Sequence, residues 1–297
     1  MNAFIHFIDY FGPPPPQKPE AWLQRYMRRC KNPFWRIYFT YQDWTSKAQA
    51  KIFGGFWSLW RKLFGRWLHV KMRFDSRVEV ASMCFIATNT SVPVPKIYLQ
   101  FRWRDLHYVI MKRAPGQCLA EIWPDLPYEA KLIIVEQLAQ CIREIRSIPP
   151  PKGTRICSVL GGPIRNFRMH DDGDTGPFRD EAHLNLQLRR QHPVEDCAAI
   201  VAVAHAKSHP LVFTHGDLVP RNIMVQGTEV TAILDWECAG WYPAHTEYCM
   251  AMNWENWNLA LEEWRPWVRL FVPVYELEAE ADKALLSQYF IPMQHVP

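Results

Sequence analysis

Paired cysteine motifs are missing from this chain of 297 residues. Its eight cysteines, from Cys30 to Cys249, are scattered, with no C-x-x-C pair and no Cys/His cluster. That excludes a disulfide-stapled or zinc-finger framework and points to reduced thiols in a cytoplasmic protein. A secretory leader is also missing, because Met1–Tyr10 carries His6 and Asp9 where a basic start and a long apolar run are needed. No apolar run reaches membrane-spanning length without charge; even Lys51–Val70 and Leu132–Ile145 are interrupted by charged residues. Glycine is scarce, at 13 residues, and no G-x-G-x-x-G occurs in the first part of the chain. With 48% apolar and 22% charged residues, the composition excludes a disordered chain and allows one large domain or two lobes.

The net charge of +4 conceals an asymmetry. Between Met1 and Arg73 there are 13 Lys/Arg against three acids, together with six of the 14 tryptophans. Such a stretch is either a solvated basic face with tryptophans packed inward or a peripheral contact for an anionic membrane. No nucleic-acid partner is expected. Pro13–Pro16 reads as a short polyproline II segment, so residues 1–19 are expected to form a poorly ordered N-terminal arm.

The hydrophobic pattern then changes character along the chain. Leu68–Phe74 alternates as a strand does, and Ser76–Asn89 has Val80, Met83, Cys84 and Ala87 at helical spacing. Val92-Pro93-Val94-Pro95 must be extended, since a residue before proline avoids the helical region. Ile97–Phe101 and His107–Met111 are expected to form a strand pair across a polar turn. After Ala114-Pro115-Gly116 helices dominate, beginning with Tyr128–Ile148. Strands first and helices later define an α+β chain with a small sheet-containing N-lobe, 20–112, and a larger, mainly helical C-lobe, 113–297.

The chemistry concentrates in Leu211–Glu237. An apolar strand leads into His215-Gly216-Asp217-Leu218-x-x-x-Asn222; a short hairpin follows, and a second apolar strand ends at Asp235. Phosphoryl transfer asks a protein for a group that orients the attacking hydroxyl, oxygen ligands for Mg²⁺ and cationic support for the triphosphate. Asp217, with an ordinary carboxyl pKa of about 3.9, is the candidate catalytic base. Asn222 and Asp235 offer the oxygen atoms that a hard cation prefers. Single matches such as H-G-D arise in any turn, whereas the whole pattern in its strand context does not.

Thr214–Asn222 and Ile233–Pro243 resemble the aminoglycoside phosphotransferase/choline kinase-like family, especially its fungal branch. So do Asn89–Tyr98, His107–Gly116, Ile145–Pro151, Ser158–Pro163 and Gly176–Phe178. The resemblance implies a protein-kinase-like bilobal fold, a cleft for ATP and Mg²⁺, and a small-molecule hydroxyl as acceptor. It implies Asp217 as catalytic base, with Asn222 and Asp235 as metal ligands. It further implies Lys71 as the phosphate-binding lysine, with Arg73 the competing cation, and Glu79 as the acid that holds it. Val109–Lys112 would be the hinge, where the backbone of Ile110 and Met111 reads adenine. Glycine at 216, where protein kinases usually carry Arg, favours the small-molecule branch over a protein kinase. The missing phosphate loop leaves a catalytically silent pseudokinase as the alternative. The acids of the last helices, Glu247 to Asp282, read either as an acidic substrate lining or as a solvated face.

Overall fold

The computed structural model describes residues 63–73, 75–103, 106–166, 168–169, 174–253 and 260–289. The arm expected at 1–19 and the basic stretch as far as residue 62 lie outside them, and with them the membrane contact read there. In chain order the elements are β1 (Leu68–Arg73), α1 (Arg77–Asn89), β2 (Ile97–Trp103), β3 (Leu106–Lys112), β4 (Gln117–Cys118) and α2 (Leu119–Ile122). Then come α3 (Tyr128–Ser147), β5 (Cys157–Ser158), α4 (Glu181–Leu188), α5 (Ala199–His205) and β6 (Leu211–Thr214). The chain continues with β7 (Ile223–Gln226), β8 (Glu229–Ile233), β9 (Gly240–Pro243), α6 (Thr246–Asn253), α7 (Ala260–Phe271) and α8 (Glu276–Tyr289). Two compact units result: the described parts of Met1–Phe74 and Lys96–Arg113 in one, and those of Asp75–Pro95 and Ala114–Pro297 in the other. The helix that the sequence pattern groups with the first strands, α1, therefore packs within the second unit.

In the first unit β3 lies between β1 and β2, antiparallel to both. Lys71 stands opposite Val109, and Val70 opposite Ile110. At the end of β3 and one residue past it, the N–H groups of Lys112 and Arg113 bond the carbonyls of Lys96 and Trp67, both at 2.8 Å.

The second unit contains two further three-stranded antiparallel sheets, β4-β7-β8 and β5-β9-β6. Helix α3 buries Ile134, Val135, Leu138, Ile142 and Ile145, the stripe that its 3.6-residue period demands. In α1 the buried face is Val80, Met83 and Ile86, while Ala87 is exposed, so the face is rotated from the one expected. The cause is aromatic: Phe85 packs on Phe213 of β6 at 4.9 Å between ring centroids and on Trp241 of β9 at 6.1 Å. The extended Val92–Pro95 segment also has a use, since the Pro93 carbonyl accepts the Ile233 N–H at 2.8 Å. Among the described residues no helix is long and apolar enough to cross a membrane. The seven described cysteines are free.

Phe213 is fully buried one residue before the end of β6, the strand that delivers the H-G-D loop. Phe213→Ala is expected to lower unfolding stability by about 3–5 kcal/mol. Urea denaturation followed by tryptophan fluorescence measures this; a loss below about 1 kcal/mol would mean the strand is not anchored through that ring.

Candidate active site

Residues 215–222 leave β6, turn through a short 3₁₀ segment at Pro220–Asn222 and enter β7. The turn needs glycine at its second position. Gly216 has φ +81°, and a Cβ there would lie 2.7 Å from the Cys238 carbonyl oxygen. This conformation turns the N–H groups of His215 and Gly216 toward one carboxylate. Glu247 of α6 accepts both, at 2.7 Å and 3.2 Å. Burial pushes the Glu247 carboxyl up to about 7, against the pull of these two N–H groups.

His215 is fully buried and its ring bridges two segments. Nδ1 lies 3.1 Å from the Asp217 N–H, which donates to it, so the ring proton sits on Nε2 and bonds the Leu234 carbonyl at 2.9 Å. Burial lowers the imidazole pKa to about 4, which keeps the ring neutral as this double role requires. The Trp236 ring covers it at 4.5 Å between centroids.

Asp217 and Asn222 come together as the spacing predicts. Asn222 Nδ2 donates to the Asp217 backbone carbonyl and to its Oδ2, both at 2.8 Å. The amide oxygen is thereby left as the end available to a cation. Asp217 is buried, and burial pushes its carboxyl up to about 6, with Arg221 and Asn222 opposing the rise. Arg221 Nη2 bonds both carboxylate oxygens, at 2.8 and 2.9 Å. Its position in H-G-D-L-x-x-R-N was visible in the sequence, but no charge role followed from it until the turn folded residue 221 back on residue 217.

Asp235 follows β8 in the left-handed region, φ 62° and ψ 60°. A non-glycine residue held there costs free energy, of order 1–3 kcal/mol, and such strain concentrates at functional sites. The two loops are tied by the Leu234 N–H bonding the Asn222 carbonyl at 2.7 Å. Asn222 and Asp235, on these tied loops, are the residues that could offer oxygen donors to Mg²⁺.

The remaining expected residues stand on other elements. Lys71 is half-buried on β1 of the first unit, and Glu79 is buried in α1 of the second. Ile110 and Met111 lie inside β3, whose neighbours on both sides are paired. Their backbone groups face ladder partners, and the ladder runs on to Lys112 and Arg113, so exposed backbone begins later than the hinge reading placed it. Among the acids of the last helices Glu263 and Glu280 are exposed, whereas three others are buried in pairs. Glu247 serves the H-G-D turn, Glu278 pairs with Lys207 at 3.0 Å and Asp282 with Arg168 at 3.1 Å. Trp236 and Trp241 are core residues, 0% and 3% exposed.

The architecture and this loop define a kinase-like fold with the constellation of a phosphotransferase. Comparison with known proteins agrees: the chain matches the phosphotransferase enzyme family (APH) over residues 75–277 and belongs to it. An aminoglycoside 3'-phosphotransferase of Enterococcus faecalis is 26% identical over 165 residues, covering 51% of this chain and 56% of that protein. One of Streptomyces fradiae is 24% identical over 197 residues, covering 62% and 63%. The chain therefore spans about six-tenths of the length of these relatives. The crystal structure of aminoglycoside phosphotransferase APH(4)-Ia superposes with a TM-score of 0.51 at 15% identity, covering 74% of this chain and 76% of that one. Its thermostable mutant in apo form gives 0.50 at 16% identity, with the same coverage. At that identity the likeness shows the fold.

Glu247→Ala removes the acceptor of two buried N–H groups and is expected to cost about 2–5 kcal/mol, whereas Glu247→Gln, which keeps one carbonyl, costs less than half as much. Paired denaturation curves test the order; equal losses would show that the carboxylate does not hold the turn.

Proposed function

We propose that this chain transfers the γ-phosphate of ATP to a hydroxyl of a small molecule. The observation that carries the reading is the Asp217 carboxylate, held in place by Asn222 on a loop tied to the one that carries Asp235. Asp217 accepts the hydrogen bond of the acceptor hydroxyl. As that oxygen bonds the γ-phosphorus and the bond to the β–γ bridging oxygen breaks, the hydroxyl proton passes to the Asp217 carboxylate. ADP leaves with the bridging oxygen. Arg221, which occupies both Asp217 oxygens, gives up one of them to the acceptor and keeps the carboxylate oriented through the other.

Asn222 and Asp235 would hold Mg²⁺, which when bound neutralises charge on the triphosphate. Lys71 and Glu79 are assigned to nucleotide binding on the family resemblance. The curated relatives act on aminoglycosides by name. An acceptor of the broader class, a hydroxyl-bearing small molecule, is what the site's chemistry supports here. The buried, paired Glu247, Glu278 and Asp282 give no separate support for a cationic acceptor.

Asp217→Asn keeps the shape and removes the base. Turnover is expected to fall about 10²–10⁴-fold while Mg·ATP still raises the melting temperature as in the wild type. The measurement is ATP consumption across a panel of hydroxyl metabolites, with the variant as blank. A variant as fast as wild type on a real acceptor would overturn the base assignment. No thermal shift of the wild type at millimolar Mg·ATP would favour a non-catalytic module.

A further inference from the structure

A cluster of imidazoles and carboxylates in the second unit has no part in the chemistry above. Glu181 opens α4, His209 precedes β6, and His245 links β9 to α6. Their ligating atoms converge. His209 Nδ1 lies 2.8 Å from Glu181 Oε1, His245 Nδ1 lies 3.4 Å from the same oxygen, and the two Nδ1 atoms are 3.3 Å apart.

Protons alone close only part of this triangle. His209 Nδ1–H donates to Glu181 Oε1 at 2.8 Å, a shorter approach than that of Nε2 to Glu278 Oε1 at 3.4 Å. His245 Nδ1 then faces the same Glu181 oxygen at 3.4 Å and His209 Nδ1 at 3.3 Å, and one ion in place of the proton would take all three donors. Four donors around Zn²⁺ at about 2.0–2.1 Å stand roughly 3.3 Å from one another along the edges of their tetrahedron. Two of the three separations, 3.3 and 3.4 Å, have that length.

The charges point the same way. The Glu181 side chain is 10% exposed, and among the described residues its ion-pair partners are these two imidazoles. Its Oε2 accepts the His209 backbone N–H at 2.7 Å, and the nearby Lys207 and Arg168 are engaged by Glu278 and Asp282, so positive charge at Oε1 has to come from an imidazolium or a metal ion. Glu278 stands where the outer carboxylate of a metal-bound histidine belongs. A small cavity lined by Arg168, Asn185, His205, His245 and Asp282 adjoins the cluster, with room for about one water. Arg168 Nη2, buried beside it, has no hydrogen-bond partner among the described residues. The cavity is polar enough to hold the water that would complete four-coordination.

We propose that Glu181, His209 and His245 form a structural binding site for one divalent transition-metal ion of the zinc class. Two nitrogens and one oxygen suit Zn²⁺ or Co²⁺ and not Mg²⁺, which takes six oxygens. The ion would join α4, the entry to β6 and the entry to α6, the two segments that carry the H-G-D loop and Glu247.

The test uses the full chain stripped by a chelator, without nucleotide, so it does not depend on the phosphotransfer reading. Titration with Co²⁺ is expected to give one equivalent with the intense visible absorption of a tetrahedral site. Stoichiometric Zn²⁺ should raise the melting temperature by roughly 4 °C, and millimolar Mg²⁺ should not reproduce this. Glu181→Gln and His245→Gln, with native circular dichroism, should lose both responses. Where a variant does not fold, the wild-type stoichiometry and spectrum decide. No tetrahedral Co²⁺ band in the wild type, or an undiminished band in both folded variants, would overturn the site and leave a cluster bridged by protons.

Discussion

The Glu247 carboxylate accepts the N–H groups of both His215 and Gly216, and the geometry of the H-G-D turn depends on this contact. With Gly216 in the left-handed region, two successive N–H groups converge on one point and cannot both be taken up by a neighbouring strand. Such a nest asks for an anion. Burying one is expensive, which is why the Glu247 carboxyl is pushed up to about 7 even with both donors in place. The two charge-assisted bonds oppose that penalty, each contributing on the order of 1.5–3 kcal/mol.

From that anchor the rest follows by contact. His215, fixed through its backbone, uses its neutral ring to receive the Asp217 N–H and to bond the Leu234 carbonyl. Leu234 in turn bonds the carbonyl of Asn222, whose side chain holds Asp217. Asp217, Asn222 and Leu234, the residue before Asp235, are thus positioned by one continuous network running from α6 through two loops. A protonated His215 could not accept from Asp217, so the depressed imidazole pKa and the loop geometry are two aspects of one arrangement.

The sequence made the local half of this legible. Strand, H-G-D-L-x-x-x-N, hairpin and strand-end aspartate are contiguous, and their residue types name the chemistry directly. Glu247 was visible only as one acid among several, because its partners lie 31 and 32 residues upstream and are backbone groups. Strands β4, β5 and β9 were likewise illegible; they span two to four residues, too few to show alternation, and exist by pairing with distant segments. The face of α1 was misjudged for a related reason: which side is buried was set by Phe213 and Trp241, not by the helix's own period.

Three acids of α6 and α8, Glu247, Glu278 and Asp282, show how far composition can mislead about a substrate. Counted along the sequence they suggest an anionic surface. In the fold Glu247 is spent on the turn, Asp282 on Arg168, and Glu278 on Lys207 and His209. Each is less than a tenth exposed, so none offers a carboxylate to an incoming ligand without first breaking a buried pair. Removing one partner of such a pair strands the other charge, a larger penalty than the pair's own net stabilisation. These positions therefore fix the scaffold on which Asp217 is displayed. At Asp217 itself the contact that faces solvent is different in kind: Arg221, two-fifths exposed, bonds both carboxylate oxygens from the surface side.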